Sequence, residues 1–199
     1  MLKAAITGNI GSGKTTVCKI FESLGIPVFY ADTEARKLYS RADVAMQVRK
    51  IFGNGLFDEK GNLLRQKLAG IVFRDPAALQ KLNGILHPRL MEVYMQWLRG
   101  HAPYPYTLHE AAVIFENHLE NRFDFIINVS CPERLRLARV RQRDHFPEWE
   151  IKNRMARQWP EKEKNERSDA VILNDGKHLV IPQVLKIHAL LVEKQKQWK

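Results

Sequence analysis

Long apolar runs, paired cysteines and an acidic surplus are what this sequence lacks. No stretch approaches the roughly 20 apolar residues that a membrane-spanning helix needs. Residues 1–14 (MLKAAITGNIGSGK) run into a glycine-rich motif without an apolar leader or cleavage site, so no membrane partner and a cytoplasmic location are expected. The two cysteines, Cys18 and Cys131, are far apart and have neither zinc-ligand nor disulfide-framework spacing; they are expected as buried or half-buried thiols. His109-Glu110 is not half of a zinc motif, because Val113 stands where H-E-x-x-H requires its second histidine. Basic residues outnumber acidic ones, 32 to 22, giving a formal charge of +10. Such a charge attracts polyanions of any kind, nucleic acid, acidic membrane or phosphorylated small molecules, and does not choose among them.

What is present reads as one folded unit. A length of 199 residues suits a single buried α/β core with an inserted subdomain, and 45% hydrophobic with 27% charged residues argues against disorder. Strand character at Lys3–Thr7 leads through Gly8 into a helix over Lys14–Leu24, whose Val17, Ile20, Phe21 and Leu24 share a face. Gly25 ends that helix, and a second strand over Pro27–Ala31 delivers Asp32 at its carboxyl end. From 33 to 100 the pattern is helical, with turn signals at FGNG, DEKGN and His87-Pro88. Strands return at Pro105–His109, Phe123–Val129 and Ala170–Leu173, and Val184, Ile187 and Leu191 mark a closing helix. The alternation predicts an α/β fold with a five-stranded parallel sheet flanked by helices, its ligands at the carboxyl ends of the strands. The nucleotide-binding core is expected over 1–32, 101–131 and 168–199. A helical insert would occupy 33–100, and the charged, arginine-rich segment 132–167 would form a mobile helical lid.

Gly8-Asn9-Ile10-Gly11-Ser12-Gly13-Lys14-Thr15 matches G-x-x-x-x-G-K-[ST] between a strand and a helix, the context of a phosphate-binding loop and of a P-loop NTPase fold. Gly11, Ser12, Gly13, Lys14, Thr15 and Thr16 are therefore the ATP-binding candidates. The glycines let successive N–H groups face the phosphates at a helix N-terminus. Lys14 should reach the β and γ phosphates, and the Thr15 hydroxyl should ligate Mg²⁺. Asn9 replaces a glycine, which asparagine's tolerance of positive φ makes mild. The guanine-reading N-K-x-D is absent and the chain is short for a motor core, which leaves a compact kinase.

Around the loop the candidates have two readings each. Asp32 can orient and deprotonate an acceptor hydroxyl, or Asp32 or Thr33 can cap the next helix. Arg136, Arg139 and Arg143, three and four residues apart, can form a phosphate clamp on one helix face or a solvated basic face. Glu110, after an apolar strand, is a candidate for holding Mg²⁺ directly or through water.

TGNIGSGKTT, YAD, LFDEKGNLLRQKLAGIVFRDPAALQKLNGILHPRL, AAVIFE, RVRQRD and ILNDG, in this order and spacing, resemble the dephospho-coenzyme A kinase family over essentially the whole chain. The most telling part runs from Phe73 to Pro88, an FxDPxxLxxLNxxLHP pattern with one extra residue after Phe73. The resemblance implies transfer of the ATP γ-phosphoryl group to the ribose 3′-hydroxyl of dephospho-coenzyme A, with Asp32 opposite that hydroxyl and Arg139 as the lid arginine. It also implies that Asn174 and Gly176 lie near adenine and makes Arg65 and His87 acceptor contacts, against a surface salt bridge for Arg65 and a simple turn at His87. Tyr30 departs from the family's frequent aspartate, and Glu110-Ala111-Ala112 from a proline-containing segment. Two other readings stand beside it: a P-loop kinase for another nucleoside, nucleotide or sugar-like acceptor, and a nucleic-acid-binding ATPase module. The latter is disfavoured because the basic residues gather in the lid-like helix and at the C-terminus instead of interleaving with aromatics. No nucleic-acid partner is expected, and the chain should be a monomer or weak homo-oligomer.

Overall fold

The structure, a computed structural model, describes residues 1–72 and 74–197; Phe73, where the telling motif begins, lies outside them. In chain order the elements are β1 (Leu2–Thr7), α1 (Lys14–Ser23), β2 (Val28–Tyr30), α2 (Ala31–Leu38), α3 (Ala42–Phe52), α4 (Arg65–Val72), α5 (Pro76–Gly100), β3 (Tyr106–Glu110), β4 (Phe125–Ser130), α6 (Glu133–Asp144), α7 (Glu148–Met155), α8 (Glu161–Arg167), β5 (Ala170–Leu173) and α9 (Val180–Gln197), with short 3₁₀ turns at Asn54–Leu56 and Glu120–Arg122. They divide into two compact units, 1–30 with 101–199, and 31–100.

The first unit is built on a parallel five-stranded sheet in the order β2-β3-β1-β4-β5. β1 is central: Leu2 stands opposite Tyr106 on β3, and Ala4 opposite Phe125 on β4. Its residues are almost all buried, as are all those of β3 and β4, the continuous apolar run that a sheet covered on both faces requires. Leu2, Ile6 and Ile127 join Val17 and Phe21 of α1 and Val184, Ile187 and Leu191 of α9 in one core. β4 starts at Phe125, two residues later than its apolar pattern suggests. Asp124 is occupied at the strand's head, its N–H donating to the Lys3 carbonyl (2.8 Å) and its carboxylate accepting the Lys3 N–H (2.7 Å). β2 is shorter than expected and stops at Tyr30, so Asp32 is the second residue of α2 and not the end of a strand. Asp32 and Glu34 in that first turn complement the positive end of the helix.

The second unit is helical, as the insert pattern predicts. Leu38, Val44, Val48, Leu56, Leu68, Val72, Ala78, Leu82, Ile85 and Leu86 form its own apolar core. The DEKGN turn closes through Asp58, whose carboxylate accepts the Asn62 N–H (2.7 Å), with Gly61 at φ 81°. His87-Pro88 is not a turn: α5 continues through it. An internal proline costs roughly 3 kcal/mol, and apolar contacts on both sides, Leu82, Ile85 and Leu86 before it and Leu90 and Val93 after it, offset that cost.

Candidate active site

The phosphate loop hangs from the carboxyl end of the central strand. Its left-handed turns fall on glycines, Gly11 at φ 79° and Gly13 at φ 95°; among the described residues positive φ outside glycine occurs at His118 and His145, so Asn9 does not use the tolerance expected of it. Space demands glycine as well. A Cβ on Gly11 would meet the Arg136 carbonyl of α6 at 2.6 Å, and one on Gly13 would fall on the Asn174 amide. Gly13→Ala should cost about 1–2 kcal/mol in left-handed strain alone, lowering the melting midpoint by roughly 2–8 °C at this chain length and weakening nucleotide binding. A thermal melt beside an ADP titration checks both; an unchanged variant would show that the loop is freer than described.

Below the loop, the Lys14 ammonium donates to the Gly8 carbonyl (2.9 Å) and lies 4.0 Å from the Glu110 carboxylate at the end of β3. The structure thus brings together Lys14, the expected phosphate contact, and Glu110, the candidate Mg²⁺ holder. Thr15 and Thr16 are exposed in the first turn of α1. On the other side of the loop Arg139, Asn174 and Ser12 converge. The Ser12 carbonyl accepts from Arg139 Nη1 (3.4 Å) and from Asn174 Nδ2 (2.7 Å), and Arg139 Nη2 donates to the Asn174 carbonyl (3.2 Å). Arg139 Nη1 also reaches Cys131 Sγ (3.2 Å). Burial pushes the Cys131 thiol up, against a smaller pull from Arg139. After Asn174 the chain turns at Asp175, whose carboxylate accepts the Lys177 and His178 N–H groups (2.9 and 3.0 Å) and is held well below its usual range by them. Gly176 follows at φ 81°.

Arg136, Arg139 and Arg143, three of the five arginines of α6, do not act alike, which corrects the common-face expectation. α6 presses on the loop at its first turn, where Gly11 meets the Arg136 backbone. Arg136 is buried, donating to the Cys131 carbonyl (2.9 Å) near Glu161 (3.8 Å). Arg139, one turn on, reaches the loop. Arg143 is past it, exposed and paired with Asp144 (2.7 Å). The segment 132–167 is also less solvated than its charge suggests, since Val140, Ile151 and Lys164 are fully buried in it. α8 is tied to β4: Asn128 donates to Asn165 (2.6 Å), and Glu161 accepts the Cys131 N–H (2.6 Å) and the Ser130 hydroxyl.

On β3, His109 is stacked on Phe29 and meets the tilted ring of Phe123, with centroids 5.2 and 5.0 Å away, and burial pushes its pKa down to about 4. It is a neutral core histidine across the physiological range. Tyr30 has its hydroxyl pushed up, first by burial and then by its neighbours Cys18 and Glu22.

In the second unit, Asp32 is exposed, and among the described residues neither it nor Thr33 makes a capping hydrogen bond. Arg65 has no carboxylate partner among the described residues and instead lies over the Tyr39 ring, 5.6 Å from its centroid, a cation–π contact. His87 is exposed on a groove of about 490 Å³ shared with Leu79, Asn83 and Pro88. Sequence reasoning missed Gln158 and Trp159, which touch the loop at Ile10 and Asn9, and Lys164 and Glu116 behind them. The Trp159-Pro160 step marks a helix start, but no local pattern marks Lys164 as buried.

A family model described as dephospho-CoA kinase matches residues 2–179. The dephospho-CoA kinase of Salinibacter ruber is 38% identical over 179 residues, covering 88% of this chain and 90% of that protein. The dephospho-CoA kinase of Bacteroides fragilis is 34% identical over 194 residues, covering 97% and 94%. A crystal structure of a Thermus thermophilus protein superposes with a TM-score of 0.86 at 31% identity, covering 95% of this chain and 96% of that one. With a P-loop, a parallel five-stranded sheet and a family match spanning nine-tenths of its length, the chain belongs to the dephospho-CoA kinase family.

Proposed function

We propose that the protein transfers the γ-phosphoryl group of ATP to the ribose 3′-hydroxyl of dephospho-coenzyme A, giving coenzyme A and ADP, the last step of coenzyme A synthesis. The observation that carries this reading is the convergence of Arg139 and Asn174 on Ser12 of the phosphate loop in a chain of this family. The backbone N–H groups from Gly11 to Thr16 cradle the phosphates at the N-terminus of α1. Lys14 exchanges its hydrogen bond with the Gly8 carbonyl for the β and γ phosphates, leaving Glu110 to balance the charge. Arg139 stabilises charge developing on the γ-phosphoryl oxygens, while Asn174 and Gly176 border adenine. Asp32 orients the acceptor hydroxyl and takes its proton; Arg65 and His87 contact the rest of the acceptor. Residues 33–100 serve as the acceptor-binding insert, 132–167 as the lid, and 1–32, 101–131 and 168–199 as the nucleotide-binding core.

The oxygen donors present suit Mg²⁺: the exposed Thr15 hydroxyl at the loop's end, and Glu110 at the end of β3, through water. Among the described residues no group of three or more His, Cys, Asp or Glu side chains forms a metal site, in keeping with an ion held largely by nucleotide phosphates and water. When bound, the ion held there by Thr15 and Glu110 would offset negative charge on the nucleotide phosphates. Among the described residues no helix is long and apolar enough to cross a membrane, and we place the protein in the cytoplasm, a monomer or weak homo-oligomer without a nucleic-acid partner.

ADP release from ATP with dephospho-coenzyme A, run beside adenosine, AMP and shikimate, tests the acceptor. Turnover confined to dephospho-coenzyme A is expected. Activity with another acceptor would keep the kinase and discard this substrate. ATP binding without turnover, joined to tight and steeply salt-dependent binding of single-stranded nucleic acid, would overturn the proposal.

A further inference from the structure

Three donors converge on one backbone carbonyl beneath the phosphate loop. The Ala112 carbonyl, two residues past Glu110, accepts from the Thr7 hydroxyl (3.4 Å), from Gln158 Nε2 (3.4 Å) and from the Lys164 ammonium (3.0 Å). Thr7 is the residue from which the phosphate loop departs. Gln158 also touches the loop's crest, its Oε1 accepting the Ile10 N–H at 2.7 Å, and the neighbouring Trp159 carbonyl accepts from Asn9 Nδ2 at 3.3 Å. The chain between α7 and α8 thus holds the loop directly at its crest, and shares with the loop's base, Thr7, the Ala112 carbonyl as a common anchor.

That turn is itself fixed. The Lys164 side chain is completely buried and lies 2.7 Å from Glu116 Oε1, which also accepts the Trp159 N–H at 2.9 Å. The Trp159 ring is stacked on Phe115, with centroids 6.1 Å apart, and lies under the Arg167 guanidinium at 4.8 Å. A buried ammonium is expensive unless paired and hydrogen-bonded, so this arrangement costs more than an apolar contact of the same shape. Its geometry, tying the segment that follows Glu110 to the phosphate loop that precedes Lys14, supplies what an apolar contact would not: a fixed direction for the donors.

We propose that Gln158 and Lys164 are positioning residues for nucleotide phosphates, a brace that locks the phosphate loop to the segment after β3. The inference rests on the nucleotide half of the function proposed above and is independent of the acceptor. The brace lowers the reorganisation needed when phosphates bind, since the loop's N–H groups already point where they must.

The test uses two variants of the full chain. Gln158→Met keeps length and removes both polar contacts. Lys164→Met with Glu116→Gln removes the ammonium without stranding a buried carboxylate, while the glutamine oxygen still accepts from Trp159. ADP binding by calorimetry, the KM for each substrate and the melting midpoint are measured together. Both variants should bind ADP about tenfold more weakly and show a matching rise in the KM for ATP, with the KM for dephospho-coenzyme A unchanged and the double variant melting within a few degrees of wild type. Variants that melt lower but bind ADP as wild type does would make the brace merely structural and overturn the proposal. Unchanged binding by Gln158→Met alone would do the same. If wild type itself binds no ADP, the nucleotide reading fails and the brace with it, an outcome distinct from a wild type that binds beside variants that bind equally well.

Discussion

Arg139→Ala is expected to lower kcat by about a thousandfold, the lower end of the effect of losing a phosphate-stabilising arginine. Among the described residues Arg139 is the α6 arginine whose side chain hydrogen-bonds to the phosphate loop, at the Ser12 carbonyl, and to the loop after β5, at Asn174. Its loss leaves Ser12 and Asn174 hydrogen-bonded to each other at 2.7 Å, so the fold and ground-state nucleotide binding should suffer far less than turnover. Arg139→Lys keeps the charge but not the planar fork and should recover only about tenfold of the loss, or 1.4 kcal/mol. Arg143, exposed and paired with Asp144, supplies the control: its alanine variant should turn over as wild type. Steady-state rates beside thermal melts decide the matter. A folded Arg139→Ala protein retaining a third of its rate would remove the arginine from the chemistry.

Asp32→Asn should reduce kcat by about 10²- to 10⁴-fold, the range for losing a general base, with the KM for ATP unchanged. Asparagine keeps the size and hydrogen-bonding capacity of the side chain but cannot take the acceptor's proton at neutral pH. The structural cost is small. Asp32 is exposed in the first turn of α2 without a capping bond among the described residues, and a charge placed there contributes about 0.3–1 kcal/mol through the helix dipole. Glu34 remains in the same turn. A variant that melts like wild type and keeps its ATP affinity, yet has lost turnover with dephospho-coenzyme A, is the expected result. A rate within threefold of wild type would return Asp32 to a helix-end role.

The parts of the site legible in the sequence are those whose geometry is local. G-x-x-x-x-G-K-[ST] prescribes its own turns, and the structure has Gly11 and Gly13 where left-handed backbone is needed. Alternation of apolar strands and helices gave the parallel sheet because burial on both faces leaves continuous apolar runs such as FIINVS. Depth was not legible. Arg136, Arg139 and Arg143 have one helical spacing and three fates, because the close approach of Gly11 to α6 belongs to the tertiary packing. Lys164 lies in a run of alternating charges that reads as solvated, and its burial follows from Glu116 and Ala112, some fifty residues away in the chain. Pro88 misled for the reverse reason: a strong local signal for a break was outweighed by packing along α5.

The position of β1 in the sheet bears on how the chain is made. The earliest of the five strands in chain order pairs with the third and fourth, Leu2 with Tyr106 and Ala4 with Phe125. For more than a hundred residues of synthesis, LKAAIT therefore has neither neighbour to satisfy its backbone. Residues 31–100, with an apolar core drawn from their own helices, can condense meanwhile, since contacts close in sequence form early. Doing so shortens the loop that β1 must later close, a term that grows only with the logarithm of loop length. The central strand precedes the other four in the chain and must wait for both neighbours, so its apolar backbone is left unpaired longest, the kind of exposure that invites aggregation during folding.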